Sequence, residues 1–239
     1  MKFFLTSSLI FLLSACAIPA KNTYTLPENL SAITTTNPLA CRFEKQLING
    51  QKPQSTNWYF WRDTQRTETR DELSNQGEIW ERNKAGQLFY TRIFYKERVA
   101  LEFVPGDLTA MGNTVSWQQL GSLIDPATLG KELVLQKKES INQVAVEYYS
   151  GTLNGVLTEV DWLPAMQLPA RLTKKLPEKT LMVTLSECTQ VSKLAVQPVT
   201  KSELDNFRHI DYTDLGDMES DPMVQHIEQL IGENHHQNH

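Results

Sequence analysis

The strongest constraint on this chain is a period-two alternation that runs, with breaks, from residue 57 to residue 187. Trp58 and Phe60 fall on one side of an extended chain, Tyr59 and Trp61 on the other. Residues 64–72 alternate Thr, Arg and Glu, and residues 78–82 form a strand around Ile79 and Trp80. A turn at residues 83–86 leads to LFYTRIFY at 88–95, and Val99, Leu101 and Phe103 then alternate until Pro105-Gly106. A second series follows: residues 133–137, then Val144, Val146 and Tyr148, then Val156, Thr158, Val160 and Trp162 after a turn region at 150–155, then 171–175 and 181–187. Leu163-Pro164 and Leu168-Pro169 mark an edge or a loop, because proline cannot donate to a ladder. Tight links between such runs give hairpins, so about nine strands are expected in one antiparallel sheet.

The series is broken in the middle. Ser116 is a good N-cap for a short helix carrying Trp117, Leu120, Leu123 and Ile124, and Asp125-Pro126 starts a second helical turn closed by Gly130. Several strands are apolar on both faces, which a sheet wetted on one side would not need. The expected fold is therefore mainly β (α+β): one strongly curved antiparallel sheet, or half-barrel, with a short helical insertion on its concave side and helices at both ends. Leu39, Phe43 and Leu47, spaced by four, predict a short helix over 39–49, with a first strand as the alternative. Residues 39–190 make up the β domain, and 191–220 are polar, acidic and irregular. Asp221-Pro222 opens an amphipathic helix over 221–232 with the stripe Met223, Val224, Ile227, Leu230 and Ile231. That stripe must be covered, by its own sheet or by an envelope protein partner. Residues 233–239 are expected to form a disordered His-containing tail.

The first sixteen residues carry a Lys, an apolar run too short to span a bilayer, and Leu13-Ser14-Ala15-Cys16. This resembles the lipobox of bacterial lipoproteins. The resemblance implies a signal peptide at 1–15, membrane attachment through lipid on Cys16, and a tether over 16–38. Ala17 directly after the cysteine implies the periplasmic side of the outer membrane. With Cys16 so used, Cys41 and Cys188 remain. An even pair in an oxidising compartment reads as a disulfide, with two free buried thiols as the alternative and redox or metal chemistry as a minor one.

The order of elements over residues 40–188 is similar to the LolA/LolB-like carrier fold of lipoprotein sorting, together with the strand at 157–162 followed by a Leu-Pro pair. That likeness implies a hydrophobic cavity for a lipid or acyl ligand, walled by Trp58, Phe60, Ile93, Leu101, Phe103, Trp117, Leu120 and Leu123. Read without it, the same residues are ordinary core.

No catalytic constellation stands out: no nucleophile elbow, zinc-protease helix, phosphate loop or paired C-x-x-C. All five histidines follow residue 200. No enzyme activity and no cofactor are expected. A formal charge of −5 and the lack of a basic stripe argue against nucleic acid. The acidic run at 217–221 has alternate carboxylates but Pro222 where a calcium loop needs glycine, so it reads as a solvated linker. Three functions stay open: a hydrophobic-ligand lipoprotein, a scaffold acting through the acidic segment and last helix, and a metal-linked accessory protein using His235, His236 and His239.

Overall fold

The computed structural model describes residues 25–28, 30, 33, 38–50, 53–190 and 193–238, with the side chains of the last helix described as far as Ile231. Two meanders build a single sheet. The first comprises Leu39–Ile48 (β1), Gln54–Arg62 (β2), Arg66–Asp71 (β3), Gln76–Arg82 (β4), Leu88–Phe94 (β5) and Val99–Phe103 (β6). The second comprises Leu133–Ile141 (β7), Val144–Leu153 (β8), Val156–Leu163 (β9), Leu168–Lys175 (β10) and Thr180–Thr189 (β11). They lie side by side in the order β6-β5-β4-β3-β2-β1-β11-β10-β9-β8-β7, and Arg208–Asp211 (β12) adds to β6 at the edge. Every pairing is antiparallel except that of β12, which is parallel.

Within the sheet, the two meanders join where β1 pairs with β11. Cys41 stands opposite Cys188 in that register, and the two form a disulfide with Cα atoms 4.1 Å apart across a sequence separation of 147. The alternative of two free thiols is thereby excluded.

The connection between the meanders explains the covered face. It leaves β6 near one edge and must reach β7 at the other, ten strand spacings away, or about 48 Å in a flat sheet at ~4.8 Å each. Residues 104–132 therefore run across a face, and they do so as Pro105–Ala110 (α1), Trp117–Ser122 (α2) and a 3-10 turn at Pro126–Thr128. The Ser116 hydroxyl accepts from the Gln119 N–H at 3.1 Å, which is the cap its sequence announces. We call the face under this strap the inner face.

Arg62 holds the strap down. It is buried on β2 and donates to the Gly121 carbonyl at 2.5 Å and to the Met166 carbonyl at 2.8 Å, so one guanidinium joins sheet, strap and the β9–β10 turn. Burial pushes its pKa down to about 10, which still leaves it charged at neutral pH.

The outer face has its own cover, supplied by the stretch expected to be an irregular linker. Leu194 and Val196 pack on Ala40, Tyr59 and Trp61. Val199, Leu204 and Phe207 pack on Ile79, Ile93 and Ala100. Glu68, a buried carboxylate on β3, pins this segment: it accepts from the Val199 N–H at 2.8 Å, the Tyr95 hydroxyl at 3.2 Å and Arg66 at 2.8 Å. Burial raises the Glu68 pKa, and the Arg66 charge and these three donors oppose that rise. The chain continues through Lys201–Leu204 (α3) and β12, turns past the edge, and lays Pro222–Asn238 (α4) on the inner face.

The sequence expectation needs four corrections here. Residues 39–48 are strand β1, not a helix. A spacing of four fits either period, and Leu39, Cys41 and Phe43 also alternate; all three are buried, with Cys41 opposite Cys188. There are twelve strands among the described residues, not nine. Pro169 lies inside β10, an interior strand; the ladder shifts register between Pro169 and Arg171, where the missing donor is tolerated. The last helix passes Gly232 and runs to Asn238.

At the edge, His209 gives a pH prediction. Its Nδ1 lies 2.7 Å from a Glu102 carboxylate oxygen and its Nε2 lies 3.0 Å from the Leu204 carbonyl. Both partners accept, so the doubly protonated ring suits the site. The hydrogen bond to Glu102 is the main cause of a pKa raised from 6.5, and the Asp205 charge adds to it. A raised folded-state pKa stabilises fully below the unfolded value and loses its effect as pH rises through the folded value. Wild type should therefore exceed His209→Gln in urea midpoint by more at pH 5.5 than at pH 8; an equal gap at both would remove this role.

Candidate functional site

Arg92 on β5 and Leu172 on β10 are six strand spacings apart, about 29 Å in a flat sheet. Yet both line one cavity of about 420 Å³ on the inner face. Only a strongly curved sheet can bring them together. This is the half-barrel that the sequence implied, and the strap roofs it.

The cavity has two kinds of wall. The apolar wall comes from Trp58 on β2, Trp80 on β4, Leu172 on β10, Leu181 and Val183 on β11, and Val115, Leu120 and Leu123 of the strap. The polar wall comes from Thr67, Thr69 and Asp71 on β3, Gln76 and Glu78 on β4, Arg92 on β5 and Lys45 on β1. These residues share a face because period two brings them there: Thr69 pairs with Glu78, Glu78 with Arg92, and Asp71 with both Trp58 and Gln76.

The polar wall is internally connected. Lys45 Nζ meets Asp71 at 2.8 Å. The other Asp71 oxygen accepts from the N–H groups of Leu73 and Ser74 in the β3–β4 turn. Arg92 donates to the Gln76 side-chain oxygen at 3.0 Å. The Tyr90 hydroxyl donates to Glu78; burial first, and the Glu78 charge second, raise the Tyr90 pKa well above its usual value. Tyr90 also stacks on Trp80 with centroids 4.4 Å apart.

At the end of α2 the backbone of Leu123 turns left-handed, with φ +63°. A leucine holds that conformation only when its surroundings fix it. Here the turn keeps Leu123 in the cavity wall.

Of the eight residues predicted to wall a cavity, Trp58, Leu120 and Leu123 do so. Phe60, Leu101 and Phe103 are buried in inner-face packing, and Trp117 packs beside them under the Arg82 guanidinium at 4.8 Å. Ile93 is a correction: it faces outward, against Ile79 and Val199, because Arg92 and Phe94 take the inner positions of β5. Missed were Trp80, the β10–β11 aliphatic residues and the whole polar wall. Part of the signal for the last was legible: Arg92 occupies an inner-parity position in the largely apolar β5, and Gln76 and Glu78 share the inner parity of Trp80 on β4.

The α4 stripe is also placed. Val224 and Ile227 are fully buried, and Met223, Leu230 and Ile231 pack around them against Trp80, Phe94, Val99, Leu101 and Phe103. Val224 and Ile227 are therefore taken by the chain's own sheet, and Met223, Leu230 and Ile231 are half-buried beside them. Cys16 and His239 lie outside the described residues, and His235 and His236 lie beyond the last described side chain. The described residues hold no cluster of three or more His, Cys, Asp or Glu suited to a metal, and no helix long and apolar enough to cross a membrane.

A second hollow of about 490 Å³ lies around Arg42, Glu44, Ser55, Asn57 and Glu72. Its polar groups satisfy one another: Asn57 donates to Glu72 at 2.7 Å, Arg42 meets Glu187 at 3.5 Å, and Ser55 donates to Glu44. It is the weaker candidate.

No family model matches the chain, and no curated protein matches it. Among solved structures, the chain is similar to PNGF-II, with TM-score 0.42 and 10% identity over 77% of this chain and 34% of that one, so it spans about a third of that protein. It is similar to MucB, with TM-score 0.39 and 12% identity over 74% and 59% of the two chains. It is also similar to a LolA superfamily protein from Nitrosomonas europaea, with TM-score 0.33 and 8% identity over 70% and 89%.

Proposed function

We propose that this chain is a non-enzymatic binding protein that takes the apolar part of an amphiphilic lipid or acyl ligand into the inner-face cavity. We further propose that lipid on Cys16 tethers it to the periplasmic side of the outer membrane. The observation that carries the binding reading is a roofed cavity of about 420 Å³ with an aliphatic and aromatic wall beside a polar one. That volume equals about 14 water molecules at ~30 Å³ each, within the usual range for small-ligand sites. Each methylene moved from water into such a wall contributes about 0.8 kcal/mol, with no covalent step.

Native mass spectrometry of the purified full chain tests this reading. A hydrophobic species should co-purify and leave on treatment with organic solvent. Leu120→Glu, which places a carboxylate in the apolar wall, should lower occupancy at least tenfold while the far-ultraviolet circular dichroism stays unchanged. A bare wild-type mass that long-chain amphiphiles fail to shift would reject the binding reading. The anchor has its own test: the N-terminal peptide should begin at Cys16 with an added diacylglyceryl mass, and Cys16→Ala should leave the membrane fraction.

The scaffold alternative is the weaker one, since the helix stripe on which it depended is covered by Phe94, Leu101 and Phe103.

A further inference from the structure

The polar wall carries information about the ligand's headgroup. It holds two cations, Lys45 and Arg92, and two carboxylates, Asp71 and Glu78, so its net charge is zero. The charges alternate in space. Lys45 sits on Asp71 at 2.8 Å, while Glu78 and Arg92 stand opposite each other on β4 and β5. A headgroup of one sign brought against this wall meets attraction and repulsion together, at the partly open mouth where Glu78 is exposed. A headgroup carrying both signs can meet each with its opposite.

The neighbours of Glu78 and Arg92 sharpen the assignment. Trp80 is two residues from Glu78 on the same face of β4 and lines the same cavity. An ammonium is attracted both by an indole face and by a carboxylate. Arg92 donates to the neutral Gln76 amide, and its guanidinium fork suits a phosphate. The Trp80 indole N–H, on a wall residue 7% exposed, has no hydrogen-bond partner among the described residues.

We propose that the inner-face cavity selects single- or double-chain amphiphiles with a zwitterionic headgroup, the ammonium at Glu78 and Trp80 and the phosphate at Arg92. This rests on the binding reading above and names its ligand class.

The test is titration of the full chain, followed by calorimetry, with four single-chain amphiphiles of equal chain length below their micelle concentrations. These are a lysophosphatidylethanolamine, an anionic lysophosphatidylglycerol, a neutral monoacylglycerol and a cationic alkyltrimethylammonium. The zwitterion should bind at least tenfold more tightly than each of the others. Glu78→Gln should narrow its lead over the anionic lipid, and Arg92→Gln its lead over the cationic one. These opposite shifts are a pattern that general loss of folding cannot produce. Equal affinity for all four, or preference for a singly charged or neutral head, overturns the headgroup inference and leaves the cavity reading standing. Binding of none overturns both.

Discussion

Replacing Cys41 and Cys188 together by alanine should lower the unfolding free energy by about 5 kcal/mol. The bridge spans 147 residues, and closing so long a loop removes that much chain entropy from the unfolded state in the simple loop model. The site adds a reason to expect most of it. The cysteines lie directly opposite on β1 and β11, at the one seam between the two meanders, so the bond ties together halves that local hairpins do not join. Urea melts with and without reductant measure it. The double variant should be insensitive to reductant and should match the reduced wild type. If reduction leaves the midpoint unmoved, the ladder and the packing of Leu39, Phe43, Phe60 and Leu185 hold the seam alone.

Ile227→Asp is expected to detach α4. Ile227 is fully buried against the β4–β6 part of the inner face, where a carboxylate finds apolar neighbours. The helix will leave the sheet rather than bury the charge, and the loss is the packing of its stripe, about 2–5 kcal/mol by analogy with core truncations. The Arg208–Asp221 ion pair at 2.6 Å is surface-exposed and too weak to retain the helix. Limited proteolysis should then cut within 212–231, and an apolar dye should bind the uncovered Phe94, Leu101 and Phe103. Unchanged stability and protection would mean that the stripe does not rest on this sheet and would return it to partner binding.

The alternation at residues 57–61, 88–95 and 99–103 was enough to read a curved antiparallel sheet, because period two and tight turns leave few other folds. The strap was legible from Ser116 and Asp125-Pro126, whose caps form as their chemistry dictates. What failed was information that is not local. β1 hid behind a spacing common to both periods. β12, four residues of RHID, carries no pattern of its own and becomes a strand only because β6 offers an edge. The outer cover at 193–207 is polar on average, and its few apolar residues matter only because Ile79, Ile93 and Trp61 await them. The cavity suffered most. Residue type picked out the fully packed Phe60, Leu101 and Phe103 as readily as Trp58 and Leu120, since nothing in a sequence marks where packing stops.

The position of β1 has a consequence for biogenesis. The strand at the middle of the sheet is the first to leave the ribosome, and its second neighbour is among the last. At roughly 5–20 residues per second, the 147 residues between Cys41 and Cys188 take about 7–30 s to follow. Through that interval one edge of LACRFEKQLI is an open template for any passing strand, and the Cys41 thiol has no mate. In an oxidising compartment, a chain truncated before Cys188 should form mixed disulfides through Cys41 that the full chain does not.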